Sequence, residues 1–438
     1  MTTTSDGKMG IWMTTAFVIG SIIGASVFML PVALGPLGIN AVVGWIVSGV
    51  GAICLGLPLA RLARGGTGIQ AAIEETFGPT VGFIITWAFW VSNWSGTAAV
   101  AVGAAATISR LFPALSSPMT VALVASMCIV IMAAINTRGA RSSGAMAIVT
   151  VLLRILPLIA VLILVGAKAG THQALQPLWT QPLTISAVAT ATALTLFAFT
   201  GFENVSTPVG KIRNSTRIIP QSMVIGLLAV ALLYLTSSTS VMLLMPADQL
   251  AHSPAPFADV VGASWGEGAA LLTAVGIAIS AFGCIGCNAM AGGELCYSMA
   301  LKGDVPPSLA WTNSKGAPVL SQAITVGLSI VLVLANTSRS TAGLFTFIVL
   351  VSTVAVLVLY VVAALGAAVE DRSLGMRAIV VVGILFSAYA FYGSGLEASL
   401  WGLGLALAGL PVRALMRWLS GSSRRAAAIP VAPPESSV

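Results

Sequence analysis

Apolar residues in this chain fall into long blocks, not into the alternation of a half-buried strand or the single stripe of a surface helix. About twelve blocks reach the length of roughly 20 residues that a helix needs to cross a bilayer. They lie near 11–36, 38–60, 80–112, 118–136, 143–168, 183–210, 219–245, 268–300, 318–337, 340–368, 377–393 and 395–419. The pattern predicts an all-α polytopic membrane protein with about twelve transmembrane helices.

Two of these blocks are interrupted halfway. The first carries Gly20-Ser21-Ile22-Ile23-Gly24-Ala25-Ser26, and the second carries Phe197-Ala198-Phe199-Thr200-Gly201-Phe202-Glu203. Irregular backbone at mid-bilayer is tolerated only where it is buried in protein or lines a cavity, because lipid offers no hydrogen-bond partners. A matched pair of broken spans, one early in each half of a chain, marks a substrate site. The spans group as 11–168, 183–368 and 377–419, that is, five, five and two, with a broken span opening each set of five. An odd number of crossings per set makes the second set run opposite to the first, as an inverted repeat. Residues 1–10 are predicted to form a short cytosolic tail. Residues 420–438, rich in Ser, Arg, Ala and Pro, are predicted to form a disordered one.

Composition supports the membrane assignment: 57% of residues are hydrophobic and 8% charged. The net charge of +7 would suit a polyanion partner, but its distribution points elsewhere. With both termini in the cytosol, sixteen Lys and Arg fall in inner loops and tails, and Arg110, Lys168 and Arg339 fall outside. Arg154, the last of the twenty, is left within a span. That asymmetry is the positive-inside signature, so no nucleic acid is implied. The five cysteines lie in apolar spans with no histidine beside them, and Cys284-Ile-Gly-Cys287 is read as helix packing, not as a metal or redox pair. No metal and no cofactor is implied. In the loop Arg61–Pro79, Ile69, Ala72, Ile73 and Phe77 recur at helical spacing and predict a short amphipathic helix at the cytosolic mouth.

The two breaks supply candidate binding groups. Gly24, Ala25 and Ser26 free backbone amides ahead of a half-helix, a suitable place for a carboxylate. Gly201 lets the sixth span unwind, and the carbonyls around Phe197, Phe199 and Thr200 suit an ammonium. Phe197, Phe199 and Phe202 bracket that break. Glu203 is the deepest acid, and an intramembrane carboxylate is a functional candidate by default, here for proton or state sensing. Arg154 stays charged under physiological conditions. It needs acceptors at its depth, and the carbonyls of the first break are the natural ones, which would make it a built-in cation. Asn93, Trp90 and Trp94 in the third span, with Asn288 in the eighth, complete a polar pocket.

GSIIGASVFMLP at 20–31, TLFAFTGFENVSTPVGKIRNSTRIIP at 195–220 and YSMALKGDVPPSLAWTNSKGAPV at 297–319 resemble the amino acid–polyamine–organocation superfamily, and within it the bacterial arginine/agmatine-type antiporters. The resemblance spans Gly10 to about Leu419. It implies a LeuT-type five-plus-five fold working by alternating access in the bacterial cytoplasmic (inner) membrane, commonly as a homodimer. It further implies that Ile22 and Gly24-Ala25-Ser26 line a carboxylate site, and that Ala88, Phe89 and Asn93 border the substrate. Phe197 stands where the group has a gating tryptophan, and Glu203 matches its pH-linked glutamate. The chain departs from the group at Ser26, where a glycine is usual, and at Asn288, where a stacking tryptophan is expected. The latter change removes a cation–π partner for a guanidinium. Arg154 falls where many neutral and proton-coupled relatives carry a lysine.

The expected activity is exchange of amino acids or their amine derivatives, basic or polyamine-like, with proton-coupled uptake of a neutral amino acid as the alternative. An enzyme is disfavoured by the absence of a cytosolic domain and of a nucleophile–base–acid set. A channel is disfavoured because filters are usually built from rings supplied by symmetric subunits.

Overall fold

A computed structural model describes residues 9–63, 68–137, 143–203, 212–314 and 316–427. Lys8, Arg64, Arg138, Arg141, Lys211 and Lys315, the second half of the sixth span and residues 428–438 lie outside that set. Seventeen α-helices follow one another along the described residues, with no named strand among them. They are α1 Ile11–Ile22, α2 Leu30–Leu34, α3 Ile39–Leu62, α4 Ile69–Phe77, α5 Pro79–Leu111, α6 Pro118–Asn136, α7 Ser143–Gly170 and α8 Ile185–Phe199. After these come α9 Ser215–Leu244, α10 Ala247–His252, α11 Pro256–Trp265, α12 Glu267–Leu301, α13 Val319–Leu334, α14 Thr341–Glu370, α15 Leu374–Gly393, α16 Gly395–Leu407 and α17 Gly409–Ala427.

Among the described residues eight helical stretches are long and apolar enough to cross a membrane, and α1, α8 and α13 are shorter apolar helices. Helix α5, at 33 residues, is long enough but carries Asn, Ser, Thr and Trp side chains that serve the interior. The 12 residues of α1 and the 15 of α8 are too few to span alone.

Helix α5 runs between α12 and α14, and α3 packs on α8 and α9. Apolar side chains gain little by leaving lipid for protein, so contact between such helices depends on close approach of small residues. Gly44 of α3 lies against Ala191 of α8, and Gly393 at the end of α15 lies against the Ala189 backbone. Buried polar groups find partners across these seams. Ser48 donates to the Thr192 carbonyl at 2.9 Å, Ser329 to the Trp94 carbonyl at 2.7 Å, and the Asn136 amide to the Gly286 carbonyl at 2.7 Å.

The structure adds to the sequence reading in three places. The block 395–419 is two helices jointed at Ala408. Trp87 donates its indole N–H to the Leu405 carbonyl there, and Gly409 leaves room for the ring. The segment predicted to be disordered from residue 420 stays helical through Ala427, because Ala and Arg are good helix formers. Finally, the connection between α9 and α12 holds two helices of its own, and Phe257 of α11 meets Phe28 edge-on at 5.2 Å. The predicted amphipathic helix is α4, with Ile69 and Ile73 buried, and its Glu74 pairs with Lys302 at the end of α12. At the same end of the molecule Arg413 donates to Asp304 at 2.6 Å in a buried ion pair, tying α17 to the turn after α12.

Candidate functional site

Helix α1 ends at Ile22. Ile23 and Gly24 are extended, and a tight 3-10 turn follows over Ala25–Phe28. Helix α8 ends at Phe199, with Thr200 leaving helical geometry and Gly201 at φ +117°. The two breaks touch: a Cβ on Gly201 would sit inside contact distance of the Ser21 carbonyl. Only glycine satisfies both the backbone angle and the space.

Where the breaks meet there is a cavity of about 430 Å³, between α1, α5, α8, α12 and α14. Ile22, Gly24, Ser26, Phe89, Asn93, Arg154, Phe197, Thr200, Gly201, Glu203 and Asn288 all reach its wall, so distant segments of the chain converge there. On α5 the lining residues Phe89, Asn93, Gly96 and Val100 share one helical face. At the end of the cavity toward the start of α1, Phe17, Cys287 and Met290 are exposed. At the opposite end Val100 and Phe197 are buried.

Four candidates lie elsewhere. Ala25 is buried and does not line the cavity; its contribution is confined to the backbone turn. Ala88 and Trp90 flank Phe89 on α5 and are turned off the cavity face by about 100° each way. Ala88 is fully buried, and Trp90 donates its indole N–H to Thr325 Oγ1 at 2.9 Å, toward α13. Phe199 sits two residues beyond Phe197 and so points to the opposite side of α8. It is fully buried, with ring centroids 5.9 Å from Trp45 and 6.2 Å from Tyr234. It packs in the core and does not line the cavity.

The freed backbone groups are partly used by the protein itself. Tyr234 of α9 accepts a hydrogen bond from the Gly24 N–H and donates one to the Ile22 carbonyl, both at 3.3 Å. The Phe197 carbonyl accepts from both the Thr200 N–H, at 3.1 Å, and the Thr200 hydroxyl, at 2.7 Å. Both its lone pairs are occupied within the break itself.

Arg154 is buried and forms a bridge. It donates to the Ile23 carbonyl at 2.7 Å, to Ser280 Oγ at 2.8 Å and to the Ser280 carbonyl at 3.3 Å. The guanidinium therefore joins the first break to α12. The ion pairs found among the described residues all lie elsewhere, and no carboxylate partners this cation. Glu203 is also buried. Its Oε2 accepts from the Gly201 N–H and from the Tyr360 hydroxyl, each at 3.0 Å. The Tyr360 ring stacks on Phe202 at 5.0 Å. Asn93 Oδ1 is buried with no hydrogen-bond partner.

Tyr234 and Tyr360 escaped sequence reasoning. Each is a single tyrosine within an apolar helix, and a buried phenol needs a hydrogen-bond partner, which could have flagged both. Cys284 and Cys287, read as packing residues, reach the cavity wall, and Cys284 also packs against the core.

The amino acid permease family model matches residues 9–369. The chain belongs to that family. Its relatives include the putrescine transporter PotE of Haemophilus influenzae, 25% identical over 410 residues, which covers 91% of this chain and 94% of the relative. A putative arginine/ornithine antiporter of Bacillus subtilis is 27% identical over 391 residues, 82% of this chain and 83% of that one. A cadaverine/lysine antiporter of Escherichia coli K12 is 26% identical over 350 residues, 77% and 78% of the two chains. The family and these relatives are transporters, and the helices of this permease are those of a multi-pass membrane protein.

Proposed function

We propose that this permease is a secondary transporter that exchanges amino acids or their amine derivatives across the cytoplasmic membrane by alternating access. The observation that carries it is the junction of two interrupted helices, backbone against backbone, on a polar cavity. The relatives' substrates, putrescine, arginine/ornithine and cadaverine/lysine, support the substrate class.

In this scheme the substrate carboxylate lies at the first break, beside Arg154, which serves as a built-in cation. The ammonium lies toward Asn93 and the second break. Phe197 closes one end. Glu203 reports proton or transport state to Gly201 and Tyr360. Both termini are cytosolic, which follows from the sixteen-to-three split of basic residues. The cavity is then open toward the cytosol. The spans 11–168 and 183–368 act as inverted halves rocking around the fixed site. The family resemblance adds a homodimer, which cross-linking in native membranes would test.

Labelled amino acid or amine efflux from proteoliposomes tests the main proposal. Efflux that accelerates when unlabelled substrate is supplied outside supports exchange. Efflux indifferent to external substrate defeats it. The buried Glu203–Tyr360 pair favours a second reading, proton-coupled uptake, in which an imposed pH gradient drives accumulation without internal substrate.

A further inference from the structure

The charge inventory of the cavity narrows the substrate, given that the cavity is the transport site proposed above. Among the described residues one basic and one acidic side chain face it, Arg154 and Glu203. The Arg154 cation has neutral partners only: one carbonyl at the first break and the hydroxyl and carbonyl of Ser280. A buried cation without a counter-charge is costly and attracts an anion. Glu203 offers the single carboxylate, and one of its oxygens already takes the Gly201 amide and the Tyr360 hydroxyl. The remaining polar side chains on the wall are neutral: the amides of Asn93 and Asn288 and the hydroxyls of Ser21, Ser26, Ser92, Thr200 and Ser352. Among the described residues, no acid other than Glu203 lines the wall to meet a distal ammonium.

We infer that the cavity selects a neutral α-amino acid with a small side chain and disfavours diamines and cationic amino acids. A zwitterion brings the carboxylate that Arg154 lacks and leaves the net charge of the filled cavity unchanged. A diamine brings no carboxylate and adds two cations beside a guanidinium. A basic amino acid supplies the carboxylate but adds a second ammonium for which, among the described residues, the wall offers neutral groups and no acid besides the already engaged Glu203. The cavity volume of about 430 Å³ holds a small amino acid with a few waters. This separates the chain from the relatives named for diamines and basic amino acids.

The test uses the full-length protein in proteoliposomes, with labelled alanine, serine, ornithine and putrescine as probes. Alanine and serine should exchange, with ornithine and putrescine rates at least about tenfold lower at equal concentration. Exchange of ornithine or putrescine as fast as alanine overturns the inference and leaves the exchange proposal standing. Exchange of none of the four removes both. Asn288→Asp places a carboxylate on the wall and should raise the ornithine-to-alanine ratio by about tenfold. An unchanged ratio in a variant that still exchanges alanine overturns the inference as well.

Discussion

Arg154 is the side chain on which the site depends most, and Arg154→Ala is the most informative perturbation. Two losses follow. The Ile23 carbonyl, bonded at 2.7 Å, loses a charged donor, at a cost of about 1.5–3 kcal/mol. The substrate carboxylate loses an opposite charge. At a separation of roughly 6 Å and an effective dielectric constant near 20, that attraction is about 3 kcal/mol. The second term alone lowers transport efficiency about 100-fold, and the first adds to it by loosening the break. Arg154→Lys keeps a point charge but not the fork that reaches Ile23 and Ser280 together, so about tenfold should be lost. The assay is the initial exchange rate over a range of alanine concentrations, in proteoliposomes matched for protein content. Arg154→Ala exchanging within about threefold of wild type would refute the built-in cation, because neither loss could then exist.

Other substitutions separate site from scaffold. Gly201→Ala forces a side chain into positive φ and against the Ser21 carbonyl; the joint cost of about 2–4 kcal/mol should lower the melting temperature in detergent and abolish exchange. Tyr234→Phe removes the hydroxyl that holds Gly24 and Ile22. A loss of about 1 kcal/mol per hydrogen bond should appear as a raised KM for exchange, and an unchanged KM would show the break to be held without it. Phe199→Ala opens a hole beside Trp45 and Tyr234 and should destabilise by about 3–5 kcal/mol in thermal unfolding, a result expected of a core residue. Glu203→Gln retains an acceptor for Gly201 and Tyr360, so melting should change little while the pH profile of exchange flattens; an unaltered profile would remove proton sensing from this residue.

Much of this molecule was legible along the chain. Block lengths predict membrane helices, and the glycines at 24 and 201 place the two interruptions, because a helix cannot hide exposed backbone in lipid. Helical periodicity alone puts Phe89, Asn93, Gly96 and Val100 on one face of α5. Periodicity does not say which face looks inward, however. Trp90 and Phe199 sit next to genuine lining residues in sequence, yet one turns to Thr325 and the other to Trp45 and Tyr234. That azimuth is set by neighbouring helices, and adjacent residues differ by about 100° around the axis.

Hydrogen-bond occupancy was equally hidden. A sequence can announce that a helix breaks but not which partner claims the freed groups. Tyr234 lies 210 residues from Gly24, and Tyr360 lies 157 from Glu203. Local chemistry thus determined where backbone polarity would be released within the membrane. Packing of distant helices decided which of those groups the protein satisfies itself and which stay open to a solute, because an unpaired buried donor or acceptor is costly and its partner comes from whatever the fold brings near.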